Sequence, residues 1–133
     1  MKTRVYLAGG YKSCWQDVVR RELKDQFTIY DPKEKEFKNG HRVLMELSEY
    51  GSWDLHHIRN SDVVFVFLER TNPSCIGAVI EAGYAKGLGK TVITVLEKNH
   101  ETIEDRYLEF IKKVSDITYE KLSDGISFLK SLK

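Results

Sequence analysis

Short apolar runs alternate with segments of helical periodicity along this chain. Five apolar runs predict strands, at residues 3–8, 27–30, 63–68, 91–96 and, in a shorter form, 116–119. Apolar residues three and four positions apart predict helices over 15–25, 44–60, 76–88, 101–114 and 121–132. The run VVFVFL at 63–68 contains no polar residue, which is typical of a strand covered on both faces.

Strand and helix alternate five times, and this order predicts an α/β fold. We expect a flavodoxin-like or Rossmann-like three-layer sandwich around a five-stranded, mostly parallel sheet of strand order 2-1-3-4-5. Asp31-Pro32 should end the second strand. The polar residues 33–43 are interpreted as irregular, with a turn at Asn39-Gly40.

Composition narrows the class of protein. The 133 residues predict one domain, 1–133, and 41% hydrophobic with 31% charged residues is ordinary for a globular protein. Lys and Arg number 21 and Asp and Glu number 20, so no overall field would recruit nucleic acid. No apolar run reaches the ~18 residues of a membrane helix, so no membrane partner is expected. Cys14 and Cys75 are too few for a disulfide framework, and a reducing cytoplasm is the expected location.

The predicted sheet order says where a ligand would bind. In an open parallel sheet, ligands bind beyond the carboxyl ends of the strands, where the strand order reverses. Here that point lies between strands 1 and 3, whose following loops are GGYKSCW and ERTNPSCIG. We expect Gly9, Gly10 and Gly77 to let the backbone approach a ligand. Ser74 is a candidate N-cap or ligand hydroxyl, and Lys12 a candidate cation for a phosphate.

One carboxylate, Glu81, stands out on the helix after the third strand. Its neighbours from Val79 to Ala85 are small or apolar, apart from Tyr84. Burying a charge is costly unless the charge is paired or used, so Glu81 is a candidate functional acid. From these residues alone, a solvated helix carboxylate remains an equal alternative.

Three segments together resemble the nucleoside 2-deoxyribosyltransferase-like superfamily. They are VYLAGG near the start, WDLHHIRNSDVVFVF in the middle and NPSCIGAVIEAGYAKGLGKTVITV after it. The resemblance spans residues 4–95, about two thirds of the chain, in the right order. It is carried most specifically by Asp54, Ser61-Asp62, the run from Glu81 to Ala85, and Gly89-Lys90.

The resemblance implies chemistry at an N-glycosidic bond. By resemblance, Glu81 is the nucleophile that attacks the anomeric carbon, and Asp54 binds the nucleobase and handles its proton. Tyr6 matches the aromatic residue of strand 1 that approaches the sugar and the glutamate. Without the resemblance, Asp54 would be interpreted as a carboxylate on a helix surface and Tyr6 as a half-buried strand residue.

The resemblance also bears on cofactors and partners. It implies no metal and no organic cofactor, a small-molecule nucleoside or nucleotide as substrate, and a homodimer or higher homo-oligomer. The adjacent His56-His57 lack further ligands at metal spacing, so no metal site is expected there. The founding transferases carry a further carboxylate just before the nucleophile's helix, where this chain has Asn72, Ser74 and Cys75.

The expected function is cleavage or exchange of the base of a (deoxy)nucleoside through a glycosyl-Glu81 intermediate. Three alternatives stay open. One is a (deoxy)nucleoside 5′-monophosphate N-hydrolase, since related hydrolases carry a Pro-Ser like Pro73-Ser74 whose serine holds the phosphate. The second is a nucleotide-binding sensor on the same fold without turnover. The third is an FMN-binding or phosphoacceptor domain, whose hydroxyl-rich or acidic loop after strand 1 is not matched by GGYKSCW.

Overall fold

The computed structural model describes residues 2–38, 41–42 and 46–132. Its strands are β1 Thr3–Gly9, β2 Phe27–Tyr30, β3 Phe37–Lys38, β4 His41–Arg42, β5 Val63–Leu68, β6 Thr91–Leu96 and β7 Ile117–Tyr119. Its helices are α1 Trp15–Leu23, α2 Pro32–Glu36, α3 Leu47–Arg59, α4 Ile76–Gly87, α5 Asp105–Leu108 and α6 Leu122–Ser131. The chain continues from α5 as a 3₁₀ helix over Glu109–Lys113.

Five strands form one sheet in the order β2-β1-β5-β6-β7, and every neighbouring pair is parallel. Counted along the sheet-forming strands alone, this is the order 2-1-3-4-5, so the predicted fold class is confirmed. The strand order reverses between β1 and β5, where Tyr6 pairs in register with Val64. Strands β3 and β4 form a separate antiparallel pair.

Hydrophobic cores lie on both faces of the sheet, as the apolar strands require. Along β1, Val5 and Leu7 belong to the core that also contains Val19 of α1. Tyr6 and Ala8 point to the opposite face, because side chains alternate along a strand. Tyr6 therefore lies in the same core layer as helices α3 and α4.

Helix α4 packs on the sheet through small side chains. Ala82 and Ala85 are fully buried and Ala78 nearly so, and the helix contacts β1, β5 and β6. Alanine at these positions lets the helix axis approach the strands closely. Gly89 after the helix has a φ of +77°, the left-handed conformation of a C-terminal glycine.

Two predicted elements were wrong. Residues 33–43 hold helix α2 and the β3–β4 pair, although the predicted turn at Asn39-Gly40 lies outside the described residues. The helix predicted over 101–114 is reduced to α5 and the 3₁₀ helix. Tyr107 and Phe110, two of the apolar residues in this predicted helix, are 60% and 72% exposed. Within the described ranges, no helix is long and apolar enough to cross a membrane.

Candidate active site

A cavity of about 420 Å³ lies at the carboxyl ends of β1 and β5, where the strand order reverses. Its walls come from the loop after β1, the end of α2, helix α3, and the loop and first turns of α4. The predicted residues Gly9, Gly10, Ser74, Gly77, Asp54 and Glu81 all line it. The fold therefore brings these side chains and glycines together although they span more than half of the sequence.

Glu81 lines this cavity and is hydrogen-bonded to Tyr6, which is fully buried and is not among the lining residues. The Tyr6 hydroxyl donates a hydrogen bond to Glu81 Oε2 over 2.6 Å. Burial and, to a smaller extent, the charges of Asp54 and Glu36 raise the pKa of Glu81, the Tyr6 hydrogen bond lowers it, and the resulting pKa is about 8. Burial and then the charges of Glu81 and Asp54 raise the pKa of Tyr6, so its hydroxyl remains a neutral donor. Besides this bond to Oε2, the Glu81 carboxyl group interacts with the side chain of Asp54.

Asp54, on α3, supplies the second carboxyl group. Burial and then the charge of Glu36 raise its pKa to about 7. Its Oδ1 atom is buried and has no hydrogen-bond partner among the residues that the structure describes. A buried acceptor without a partner is costly, so a ligand donor at this atom would be stabilising. Because both pKa values lie close to neutrality, Asp54 and Glu81 together can hold one proton there.

Sequence analysis missed Glu36, a third carboxylate in the cavity wall. It is only 5% exposed, and the hydroxyl of Tyr11 donates to its Oε1 over 3.1 Å. The available signal was Asp31-Pro32, which we interpreted only as the end of a strand. Asp31 is the N-cap of α2 and accepts a hydrogen bond from the Lys33 backbone, while proline occupies the first turn.

The two site loops touch at their glycines. A Cβ on Gly10 would collide with the side-chain amide of Asn72, and a Cβ on Gly9 would lie 2.6 Å from the carbonyl oxygen of Phe67. Close approach therefore requires glycine at both positions. A Cβ on Gly77 would meet nothing within 4 Å, so this glycine leaves open space on the cavity side of α4.

Ser74 and Lys12 differ in their placement. Ser74 is exposed and lines the cavity, but the N-cap of α4 is Cys75 and no side chain caps that helix. The N-cap interpretation of Ser74 was therefore wrong, and the ligand hydroxyl remains a prediction. Lys12 is not among the lining residues, and its ammonium group donates to the carbonyl oxygen of Thr71 over 3.0 Å. In this conformation Lys12 joins the two site loops.

Cys75 also lines the cavity, whereas Cys14 and the paired histidines His56 and His57 are not among its lining residues. Cys75 is buried, with its Sγ 3.4 Å from Nε2 of His100, and burial raises its thiol pKa to about 11. A raised pKa leaves the thiol protonated and a poor nucleophile. Cys14 is exposed. The His57 ring stacks on Trp53 with centroids 3.9 Å apart, and the described part of the chain holds no metal-binding group of three or more candidate ligands.

A second cavity, of about 280 Å³, lies beside the ends of β6 and β7. Its charged side chains pair with one another, since Lys98 Nζ is 3.0 Å from Glu120 Oε1 and Lys112 Nζ is 3.4 Å from Glu109 Oε1. This cavity is away from the reversal of strand order and from the Glu81–Tyr6 pair. The cavity at β1 and β5 is therefore the candidate active site.

The chain is a doubly wound α/β protein, and its Glu81 and Asp54 lie at the switch point where open parallel sheets of this class bind their ligands. The family described as "Nucleoside 2-deoxyribosyltransferase like" has a sequence profile that matches residues 2–99. The chain belongs to this family. No curated protein sequence matches the chain significantly.

Solved structures share the fold. A conserved protein from Enterococcus faecalis V583 is 17% identical, with a TM-score of 0.75 and all of both chains covered. A 2-deoxyribosyltransferase from Bacillus psychrosaccharolyticus is 23% identical, with a TM-score of 0.66, covering 92% of this chain and 89% of its own. The CMP N-glycosidase of Clostridium botulinum is 19% identical, with a TM-score of 0.64, covering 98% of this chain and all of its own. At these identities the likeness shows the fold.

Proposed function

We propose that this protein is an enzyme that cleaves or exchanges the base of a (deoxy)nucleoside at its N-glycosidic bond. Family membership supports an enzyme of this general kind. The observation that carries the proposal is the contact of Glu81 with Tyr6, beside Asp54, in the cavity at the switch point. These groups can supply a nucleophile, a donor that orients it and a proton for the leaving base.

In the first step, Glu81 Oε1 attacks the anomeric carbon of the sugar. The bond from this carbon to the base nitrogen breaks, and its electron pair leaves with the base. The transition state resembles an oxocarbenium ion, which a nearby carboxylate stabilises. Tyr6 keeps its hydrogen bond to Oε2, so it favours the charged form of Glu81 and fixes the direction of attack.

Asp54 assists departure of the base. The productive form has the proton on Asp54 and an ionised Glu81, and it is the minor form of the singly protonated pair because Glu81 has the higher pKa. The departing ring nitrogen takes the Asp54 proton. The raised pKa of Asp54, about 7, suits a group that must give up a proton near neutral pH. In the second step, water or another base attacks the anomeric carbon of the ester and passes a proton to Asp54, while the bond from this carbon to Glu81 breaks and its electron pair returns to the carboxylate. Two displacements at one carbon retain its configuration.

A second candidate function is hydrolysis of a (deoxy)nucleoside 5′-monophosphate. The observation that favours it is the exposed Ser74 in the cavity wall, beside the uncapped amino end of α4. A phosphate there would gain hydrogen bonds from the hydroxyl and from free backbone N–H groups. Under this alternative, Ser74→Ala should lower kcat/KM for monophosphates by roughly tenfold or more and leave nucleosides unaffected.

The test is a panel of nucleosides and their 5′-monophosphates, each incubated with and without a free acceptor base. Released base without acceptor indicates hydrolysis, and a new nucleoside with acceptor indicates transfer. The proposal also predicts a covalent glycosyl adduct on wild-type protein that is mixed with substrate, denatured and weighed by mass spectrometry. Glu81→Gln protein treated in the same way should carry no adduct. Absence of turnover on the whole panel would contradict the proposal.

A further inference from the structure

Two buried side chains at the start of α1 hold the loop that follows β1. The indole Nε1 of Trp15 and the amide Nε2 of Gln16 each donate to the carbonyl oxygen of Gly10, both over 2.9 Å. Trp15 is 3% exposed and Gln16 is 1% exposed. Neither is among the residues that line the cavity, whereas Gly10 and Tyr11 are. The two donors fix the direction of this carbonyl group, because rotation of the peptide would break both bonds.

The direction of this carbonyl group also sets the direction of the next N–H. The peptide between Gly10 and Tyr11 is trans, so its N–H points opposite to its C=O. The C=O faces α1, whose Trp15 belongs to the core on one face of the sheet. The Tyr11 N–H therefore faces away from α1, towards the side of α3 and α4, which carry Asp54 and Glu81. Among the described residues, no acceptor is bonded to this N–H.

We infer that Trp15 and Gln16 are positioning residues, which turn the Tyr11 N–H into the cavity so that it donates to a hydroxyl or phosphate oxygen on the sugar of the substrate. This inference rests on the proposed function, because it takes the ligand to be a nucleoside or a nucleotide. The ring oxygen of the sugar is not the acceptor, since it becomes electron-poor in an oxocarbenium-like transition state and a donor there would slow the reaction. An N–H that is held before the substrate arrives needs no reorganisation during the reaction.

Gln16 imposes a cost on the fold that supports this role. Its Oε1 atom is buried and has no hydrogen-bond partner among the residues that the structure describes. An unpaired buried acceptor destabilises a protein, whereas an apolar side chain of similar shape would not. Glutamine is therefore a poor choice for filling space in a core. The part of this side chain that has a partner is Nε2, which donates to Gly10.

Close packing further confines the loop. A Cβ on Gly9 would lie 2.7 Å from a ring carbon of Trp15, and a Cβ on Gly10 would collide with the side-chain amide of Asn72. Asn72 is 8% exposed and lines the cavity. Backbone that is packed between an indole ring and a buried amide has little room to move, as a fixed donor requires.

The experiment removes both donors in one protein, by combining Trp15→Phe with Gln16→Met. We expect kcat/KM for the best substrate of the panel to fall by roughly ten- to a hundredfold, because the released peptide can rotate and lose its bond to the substrate. Each single variant should lose less, since one donor still holds the carbonyl group.

Substrate analogues identify the oxygen that accepts this bond. They are the 3′-deoxy and 5′-deoxy forms of the best nucleoside or, if monophosphates react best, the nucleoside without its phosphate. With the analogue that lacks the bonded oxygen, the wild type and the double variant should react equally fast. An equal fall on every analogue would indicate a general distortion of the site and would overturn the inference.

Gln26→Met is the matched control. Gln26 Oε1 is also buried without a partner among the described residues, but Gln26 precedes β2, at the end of the sheet opposite to the cavity. Both Gln→Met substitutions should keep the midpoint of thermal unfolding within a few degrees of the wild type or raise it, since each removes an unpaired acceptor. Only Gln16→Met should lower kcat/KM. A Gln16→Met protein that loses stability and keeps its activity would show a structural role alone, against the inference.

The backbone amide of Tyr11 gives a readout that needs no turnover. Amide ¹H–¹⁵N spectra are recorded with 2′-deoxyadenosine, 2′-deoxycytidine and their 5′-monophosphates. We expect the Tyr11 amide proton to shift downfield on binding in the wild type, and to shift less in the double variant. If no substrate reacts but this shift is found, the proposed function fails and the positioning role stands. If substrates react but the Tyr11 amide does not shift, or if no ligand binds, the positioning role is refuted.

Discussion

Replacing Glu81 with glutamine removes the charge of this side chain while keeping its packing, so the variant measures how much the buried charge destabilises the fold. Glutamine has nearly the same shape, and its side-chain oxygen can still accept the hydrogen bond from Tyr6. The substitution removes only the ionisable group. We therefore expect Glu81→Gln to lose base release by at least about a thousandfold, because a neutral amide is a poor nucleophile. We also expect the variant to unfold less readily than the wild type at alkaline pH.

The size of the stability gain follows from the pKa of Glu81, which folding raises from 4.5 to about 8. Between these values the folded protein binds a proton that the unfolded chain releases, so wild-type stability falls as pH rises through this window. The full shift corresponds to about 5 kcal/mol at pH above 8, which is an upper bound because hydration and relaxation reduce the penalty. A gain of about 2–5 kcal/mol for Glu81→Gln at pH 9 is expected, shrinking to below about 1 kcal/mol at pH 5.

Urea unfolding of both proteins at pH 5 and pH 9 measures this difference in the free energy of unfolding. Glu49→Gln is the control, since Glu49 is exposed on α3 and does not line the cavity. It should change stability little at either pH. If Glu81→Gln gave the same small change at pH 5 and pH 9, the buried-charge argument would be refuted. If it also kept normal turnover, Glu81 would not be the nucleophile.

Three further predictions concern the same site and its rim. A plot of kcat/KM against pH should be bell-shaped with limbs near 7 and 8, because Asp54 and Glu81 must together hold one proton. Asp54→Asn should lower activity at least about a hundredfold and abolish the alkaline limb. An unchanged profile in this variant would contradict the pairing of the two carboxyl groups. Tyr6→Phe should reduce kcat by roughly ten- to a hundredfold and move the limb near pH 8 upwards, since the hydroxyl lowers the pKa of Glu81, the higher of the two; a limb that stays in place would exclude this role. We also propose that the protein is a homo-oligomer whose interface covers the apolar rim of the cavity, where Ile80 is 63% exposed. Ile80→Glu should therefore sediment as a smaller species than the wild type. The control, Phe110→Glu on another surface, should sediment like the wild type. A wild type that sediments as an active monomer would disprove this assembly.

The sheet was predictable because its strands are buried. The runs 27–30, 63–68 and 91–96 match β2, β5 and β6 residue for residue, since apolar side chains in a doubly covered sheet leave an unbroken signal. The helix over 101–114 failed because helical spacing alone cannot show whether an aromatic residue such as Phe110 is buried or exposed.

The site was predictable only where its residues differ from their neighbours. Glu81 stands among small apolar residues and so attracts attention, and the position of Asp54 came from the family resemblance. Glu36 lies in the polar segment PKEKEF, where a solvated glutamate is the normal expectation. Only the packing of α2 against α3 turns it into a cavity residue, and a contact of that kind has no signature in the local sequence.

The alanine face of α4 acts as a spacer for the reaction centre. Because Ala82 and Ala85 have no side chain beyond Cβ, the distance from the helix to the strands sets how far Glu81 stands from Tyr6. A hydrogen bond of 2.6 Å tolerates displacement of only a few tenths of an ångström before it weakens. A larger residue at Ala82 would lift the helix by more than this amount while still burying apolar surface. Larger side chains on this face should therefore reduce activity before they unfold the domain. The packing distance between α4 and the sheet thus limits which substitutions the reaction can tolerate.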